Sequence, residues 1–148
     1  MPGTTLMNGF EFVTGLSQGT LPRPPMADLL PFTLLPPDEG HVELLARPEA
    51  RFLNMMNTVH GGWIMTMLDT AMSLAAQTTL ASGEVCPSQE TSAKFVRPIS
   101  ADCGELRITG KVISRGRTVI TLDGRIENPQ GKLYAHGTST CLIVRPGT

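Results

Sequence analysis

The sequence predicts an α+β fold in which a curved antiparallel sheet of about five to six strands wraps around one long central helix. Between Val59 and Leu80, Trp63, Ile64, Met65, Met67, Leu68, Ala71, Met72, Leu74, Ala75 and Ala76 spread around most of a helical circumference. Such a helix is buried on most sides rather than laid on a surface. Downstream, Leu106, Ile108 and Val112, and then Ile120, Leu122 and Ile126, alternate with polar residues. That is the pattern of half-buried antiparallel strands. One buried helix and several half-buried strands leave the sheet as the only cover for the helix.

The elements follow in order. Residues 1–31 are expected to form an N-terminal capping arm, with a short helix around Phe10 to Leu16 and then an extended stretch where Pro22, Pro24 and Pro25 disfavour helix. The main domain is expected over 32–148. It opens with a hairpin of two short strands, Phe32 to Leu35 and His41 to Arg47, flanking the turn cluster Pro36-Pro37-Asp38-Glu39-Gly40. Arg51 to Val59 is a loop that delivers the chain to the long helix. The helix is expected from near Gly61 to around Ala81, with Ser82-Gly83 as its stop signal. Four strands then follow at Ser88 to Val96, Glu105 to Ser114, Arg117 to Glu127 and Lys132 to Val144. The turns between them are short, so a meander is expected.

Composition removes several classes of function. A chain of 148 residues with 41% hydrophobic content fits one domain and can bury roughly two-thirds of its unfolded surface. The formal net charge of -1 gives no long-range attraction for nucleic acid or an anionic membrane, so any anionic ligand must be held by a few local groups. Cys86, Cys103 and Cys141 form neither a C-x-x-C pair nor an even-numbered framework and read as thiols of a reducing compartment, with no metal site. The N-terminus lacks the basic and apolar regions of a secretory signal, and the most apolar window is interrupted by His60, Asp69 and Gln77. A cytoplasmic protein is the expectation.

Two features could carry chemistry. From Phe52 to Gly83 the only formally charged residue is Asp69, in the middle of the apolar helix. A carboxylate there must be paired, hydrogen-bonded or open to a cavity, because burying it bare is costly. Thr66, Asp69, Thr70, Ser73 and Gln77 share one narrow polar stripe, facing either water or a cleft. The second feature is His60-Gly61-Gly62, where the helix should begin. It is either loop-to-helix punctuation or a place where first-turn N–H groups meet a carbonyl oxygen at close range.

The run Asn54-Met-Met-Asn-Thr-Val-His60-Gly61-Gly62-Trp-Ile-Met-Thr-Met-Leu-Asp69 resembles the signature of the phenylacetate-degradation-type (PaaI-like) hotdog thioesterases. The strand ending in Arg97-Pro98, the hairpin Arg115-Gly116-Arg117 and the hairpin Gly131 to Ala135 resemble the same family, so the likeness runs from about Phe32 to Val144. The resemblance implies a hotdog fold and an acyl-CoA thioesterase. In it the Gly61 N–H polarises the thioester carbonyl, and Asp69 is general base or nucleophile at an interface with a second subunit. Asn54 would position water or the substrate carbonyl, His60 would orient the loop or touch the thioester, and Ser73 and Ser88 match helper hydroxyls. Gly62 would border the substrate, and Arg97, Arg115 and Arg117 are candidates for the CoA phosphates. Asn57 stands where many relatives have Gly, and Asn is well suited to replace Gly at positive φ.

No metal or redox cofactor is needed for such chemistry, coenzyme A being part of the substrate. Edge strands and an incompletely covered helix point to a homo-oligomer, a dimer or tetramer. Two other functions suit the same fold: a hydratase or dehydratase of acyl thioesters, and a non-catalytic acyl-CoA sensor or scaffold.

Overall fold

The computed structural model describes residues 7–146, so the first six residues of the expected arm lie outside the described residues. A six-stranded antiparallel sheet runs in the order β1-β2-β4-β5-β6-β3. Its strands are β1 (Thr33–Leu34), β2 (His41–Ala46), β3 (Ser88–Phe95), β4 (Leu106–Arg115), β5 (Val119–Glu127) and β6 (Leu133–Leu142). The long helix α3 (Gly61–Gln77) packs against β2, β3, β4, β5 and β6, which is the wrapped α+β arrangement expected from the sequence. Trp63, Ile64, Met67, Leu68, Ala71, Met72, Ala75 and Ala76 are buried on it. They meet Val42 and Leu44 of β2, Leu106 and Ile108 of β4, and Ile120, Leu122 and Ile126 of β5 in one core.

Three expectations change. α3 ends at Gln77, about one turn before Ala81, because two consecutive threonines cap it. The Thr78 hydroxyl donates to Ala75 O and the Thr79 hydroxyl to Ala76 O, diverting carbonyls that a further turn would use. Next, only β4–β5–β6 is a meander. The chain leaving α3 carries β3 to the far edge, where it pairs with β6 and leaves its other side open. Finally, the arm holds a second short helix, α2 (Met26–Leu29), just after the proline stretch, where a single helix was expected.

Helix α1 (Gly9–Gln18) begins with a capping box. Asn8 accepts from the Glu11 N–H and Glu11 accepts from the Asn8 N–H. It is docked by the fully buried Val13 and by the Gly9 N–H on Leu80 O. A row of glycines sets the depth of α3. Gly110, Gly124 and Gly137 face one another across β4, β5 and β6, and a Cβ at Gly110 would overlap the Ala71 carbonyl of α3.

Candidate active site

The loop before α3 folds around Asn54. Its side-chain oxygen accepts from the N–H groups of Met56 (2.9 Å) and Thr58 (3.2 Å), while its Nδ2 donates to the Thr58 hydroxyl at 3.0 Å. Asn57 holds φ +60 at the turn, the left-handed conformation expected for it. Asn54 therefore shapes the loop with most of its polar capacity.

The loop delivers His60 as the N-cap of α3, its Nδ1 accepting from the Gly62 N–H at 2.8 Å. The Trp63 N–H donates to His60 O. Gly61 is left as the first-turn residue whose N–H has no partner among the described residues. The Phe95 ring lies against its Cα, where a Cβ would come within 3.0–3.1 Å of ring carbons. His60 and Gly62 line a cavity with Phe52 and Trp63.

Asp69 sits two turns further along the same helix. Its Oδ1 accepts from the Thr91 hydroxyl of β3 at 2.9 Å, and Oδ2 has no partner among the described residues. Thr91 lies 3.1 Å from the buried Ser139 hydroxyl, which donates to Glu90 O at 3.0 Å. The Thr91 hydroxyl thus orients the carboxylate, with the Ser139 hydroxyl packed behind it. The polar stripe of α3 is half-buried and lines two clefts that open to solvent. Asp69, Thr70 and Ser73 line a cavity of about 520 Å³, and Asp69, Thr66 and Ser88 line another of about 430 Å³.

The sequence-derived set thus falls into separate groups. Asp69, Ser73 and Ser88 gather at mid-helix, whereas Asn54, His60, Gly61 and Gly62 gather at its start. Arg97, just beyond Phe95, donates to Leu133 O. Arg115 is at the opposite end of α3, donating to Thr79 O and Gly116 O and pairing with Glu84 at 3.6 Å. Arg117 is exposed on the same hairpin. Thr91 and Ser139 were missed by sequence reasoning. A threonine on an alternating strand carries no signal of what it faces; only strand pairing with β6 brings Thr91 beside both groups.

Of the three thiols, Cys141 lies beside this site, within reach of the Ser139 hydroxyl and the Asp69 charge. The Cys86 thiol donates to Gln77 Oε1 at 3.8 Å; the neighbouring Cys141 and then burial push Cys86 up, whereas Cys86 draws Cys141 down against the effect of burial, and burial and then Asp102 push Cys103 up. Among the described residues no cluster of three or more His, Cys, Asp or Glu could hold a metal, and no helix is long and apolar enough to cross a membrane.

The family model of the thioesterase superfamily matches residues 56–135, spanning the loop, α3, β3 and the following strands. The chain belongs to the thioesterase superfamily. It is similar to a phenylacetic acid degradation-related protein of Ralstonia eutropha JMP134, with 30% identity and a TM-score of 0.81 over 88% of this chain and 98% of that one. This bears out the PaaI-like resemblance and the hotdog fold. A Streptococcus mutans protein solved bound to acetyl-CoA shares the fold, with a TM-score of 0.70 and 23% identity over 77% of this chain and 89% of that one. A candidate esterase of Saccharolobus solfataricus is 32% identical over 94 residues, 64% of this thioesterase-superfamily chain and 65% of that protein's length.

Proposed function

We propose that this chain hydrolyses the thioester of an acyl-CoA to the free acid and coenzyme A. The observation that carries the reading is Asp69: a carboxylate alone in an apolar helix, with one oxygen held by Thr91 and the other unpartnered, on the wall of two cavities. Such an oxygen can take a proton from water attacking a carbonyl, or attack the carbonyl itself. The tetrahedral oxyanion needs an N–H donor, and Gly61 has one unused. Collapse of the adduct expels the CoA thiolate: after attack by water this gives the free acid directly, and after attack by Asp69 it leaves an acyl-Asp69 anhydride that water then cleaves to the free acid and the carboxylate. Neither route requires a cofactor beyond the substrate. The acetyl-CoA bound by the S. mutans neighbour supports a CoA ester as the ligand.

Asp69 and Gly61 cannot serve one carbonyl from one chain. Eight residues of α3 separate them, roughly 12 Å at about 1.5 Å per residue. An attacking oxygen stands only about 3–3.5 Å from its carbon. A second copy resolves the conflict by bringing its own Gly61 to this chain's Asp69. Edge strand β3 offers the means, since six of its eight residues are exposed and its outer side is unpaired. Phe95 and Val96 at its end are about half exposed, at 54% and 46%. Light scattering should therefore give a dimer or tetramer; a stable monomer with full turnover would overturn this arrangement.

The deciding experiment is thiol release from short, medium, long-chain and aromatic acyl-CoAs, by wild type and Asp69→Asn, with thermal melting of both. The variant should keep its fold and lose about a hundred- to ten-thousand-fold in turnover, because an amide neither takes the proton nor attacks. Near wild-type turnover in a folded Asp69→Asn would remove Asp69 from the mechanism. Binding of acyl-CoA without thiol release by wild type would favour the sensor reading instead.

A further inference from the structure

We propose that Phe95 is a positioning residue for the hydrolysis: its ring, laid on Gly61, keeps water from the Gly61 N–H and so makes that group a dry, fixed donor for the thioester oxygen. This rests on the thioesterase reading and adds to it a residue that acts through Gly61 rather than on the reacting atoms.

Strand β3 serves both places on α3 that the proposed reaction uses. Its period of two puts Thr91, Ala93 and Phe95 on the face toward α3, opposite Ser139, Gly137 and Ala135 of β6. Thr91 and Phe95 are four residues apart on β3, roughly 13 Å at about 3.3 Å per residue. That span matches the helical distance between Asp69 and Gly61, and the two side chains reach those two residues, Thr91 by its hydroxyl and Phe95 by its ring. The end of the strand is built to hold the ring there. Just past Phe95, the Val96 N–H (2.8 Å) and the Arg97 N–H (3.2 Å) both donate to Tyr134 O, the two-to-one pairing of a β-bulge. Arg97 Nη1 adds a bond to Leu133 O at 3.1 Å. A bulge bends the strand and re-aims the side chain beside it.

The ring is not there to fill the interior, since Phe95 is 54% exposed and stands outside the hydrophobic core. What it does touch is Gly61, so closely that a Cβ at that position would stand 3.0–3.1 Å from two ring carbons. Only glycine admits such an approach. In a helix the Cβ leans toward the N-terminus, the direction in which a first-turn N–H opens. A ring in the place of that Cβ therefore stands beside the Gly61 N–H. The His60 imidazole lies equally close to Gly62, 3.0 Å from where its Cβ would be, so two flat rings flank the first turn of α3. An N–H open to bulk water is already bonded to it, and a carbonyl that displaces the water gains little. A donor kept dry and held in place gives more to an oxygen on which charge develops.

The test uses full-length wild type, Phe95→Ala, Phe95→Tyr, Gly61→Ala and the double variant Gly61→Ala/Phe95→Ala. Thiol release from acetyl-, octanoyl- and benzoyl-CoA gives kcat and KM, light scattering gives the mass at the assay concentration, and NMR hydrogen exchange reads the exposure of the Gly61 amide. Phe95→Ala should lower kcat about tenfold and leave KM within about twofold, a smaller loss than the roughly hundred- to thousandfold that follows removal of an oxyanion donor itself. Phe95→Tyr keeps the ring and should recover most of kcat. Exchange at Gly61 should be faster in Phe95→Ala than in wild type by about tenfold or more. Gly61→Ala forces the ring away, so the double variant should be no slower than Gly61→Ala alone, and additive losses overturn the proposal. Unchanged kcat or unchanged Gly61 exchange in Phe95→Ala, or Phe95→Tyr as impaired as alanine, also overturns it while the thioesterase reading stands. Phe95-dependent exchange at Gly61 in a wild type that hydrolyses no thioester sustains the shielding and overturns that reading. If Phe95→Ala melts well below wild type or changes its mass, Phe95→Leu is the substitute, because leucine keeps much of the apolar bulk but cannot lie flat on a glycine.

Discussion

Replacing Thr91 by valine tests whether the hydroxyl behind Asp69 matters to catalysis. Valine keeps the shape and deletes the donor that reaches Asp69 Oδ1 at 2.9 Å. A hydrogen bond to a charged group is worth about 1.5–3 kcal/mol. If all of it serves to hold the carboxylate in its attacking position, the loss is roughly ten- to a hundredfold in kcat, at about 1.4 kcal/mol per factor of ten. Stability should suffer less. Ser139 loses its contact with Thr91 but keeps its bond to Glu90 O, so a cost near 1 kcal/mol and a Tm drop of about 2–4 °C are expected. The assay is thiol release at saturating acyl-CoA, paired with melting, for Thr91→Val and Thr91→Ser. Serine restores the hydroxyl and should recover most of kcat. Turnover of Thr91→Val within twofold of wild type, or Thr91→Ser as impaired as valine, would refute a positioning role.

Gly110→Ala should be strongly destabilising, because its Cβ would overlap the Ala71 backbone carbonyl, which cannot rotate aside. Overpacking of this kind costs about 1–3 kcal/mol, or roughly 2–12 °C in Tm at this chain length; an unchanged melting curve would refute the close approach of α3 to β4. For the thiols, a raised Cys103 pKa means less thiolate at a given pH than in the unfolded chain. Iodoacetamide labelling of native Cys103, followed by mass spectrometry, should therefore keep rising at pH values where labelling of the denatured chain has levelled off, and coincident profiles would contradict the shift.

What the sequence made legible was whatever one element expresses by its own periodicity. The buried circumference of α3, its start at His60-Gly61, the isolation of Asp69 and the positive φ of Asn57 are local facts, and each appears in the structure. Less legible was whatever depends on which strand lies beside which. β3 crosses to the far edge, and that crossing brings Thr91 to Asp69 and Ser139. The glycines at 110, 124 and 137 are far apart in sequence and become one row only through strand register. The end of α3 was misjudged because Ser82-Gly83 is the conventional stop, whereas Thr78 and Thr79 act earlier through side-chain bonds to the backbone.

The glycine row also bears on why a single copy should be inert. α3 rests directly on Gly110, with Met72 and Leu68 against Gly124 and Leu68 reaching Gly137, so its middle is pinned to three strands. Sharp helix bends arise at proline, at glycine–serine pairs or at inserted turns. α3 contains no proline, and its only glycines are the two at its start. The helix is therefore a rigid spacer, and no motion within one subunit brings the Gly61 N–H to the Asp69 carboxylate. On the proposed mechanism, activity is therefore expected to follow association. A chain held monomeric by a charge placed on β3, such as Ser92→Glu, should keep its core and lose turnover, and it should regain turnover at concentrations where light scattering shows the dimer restored.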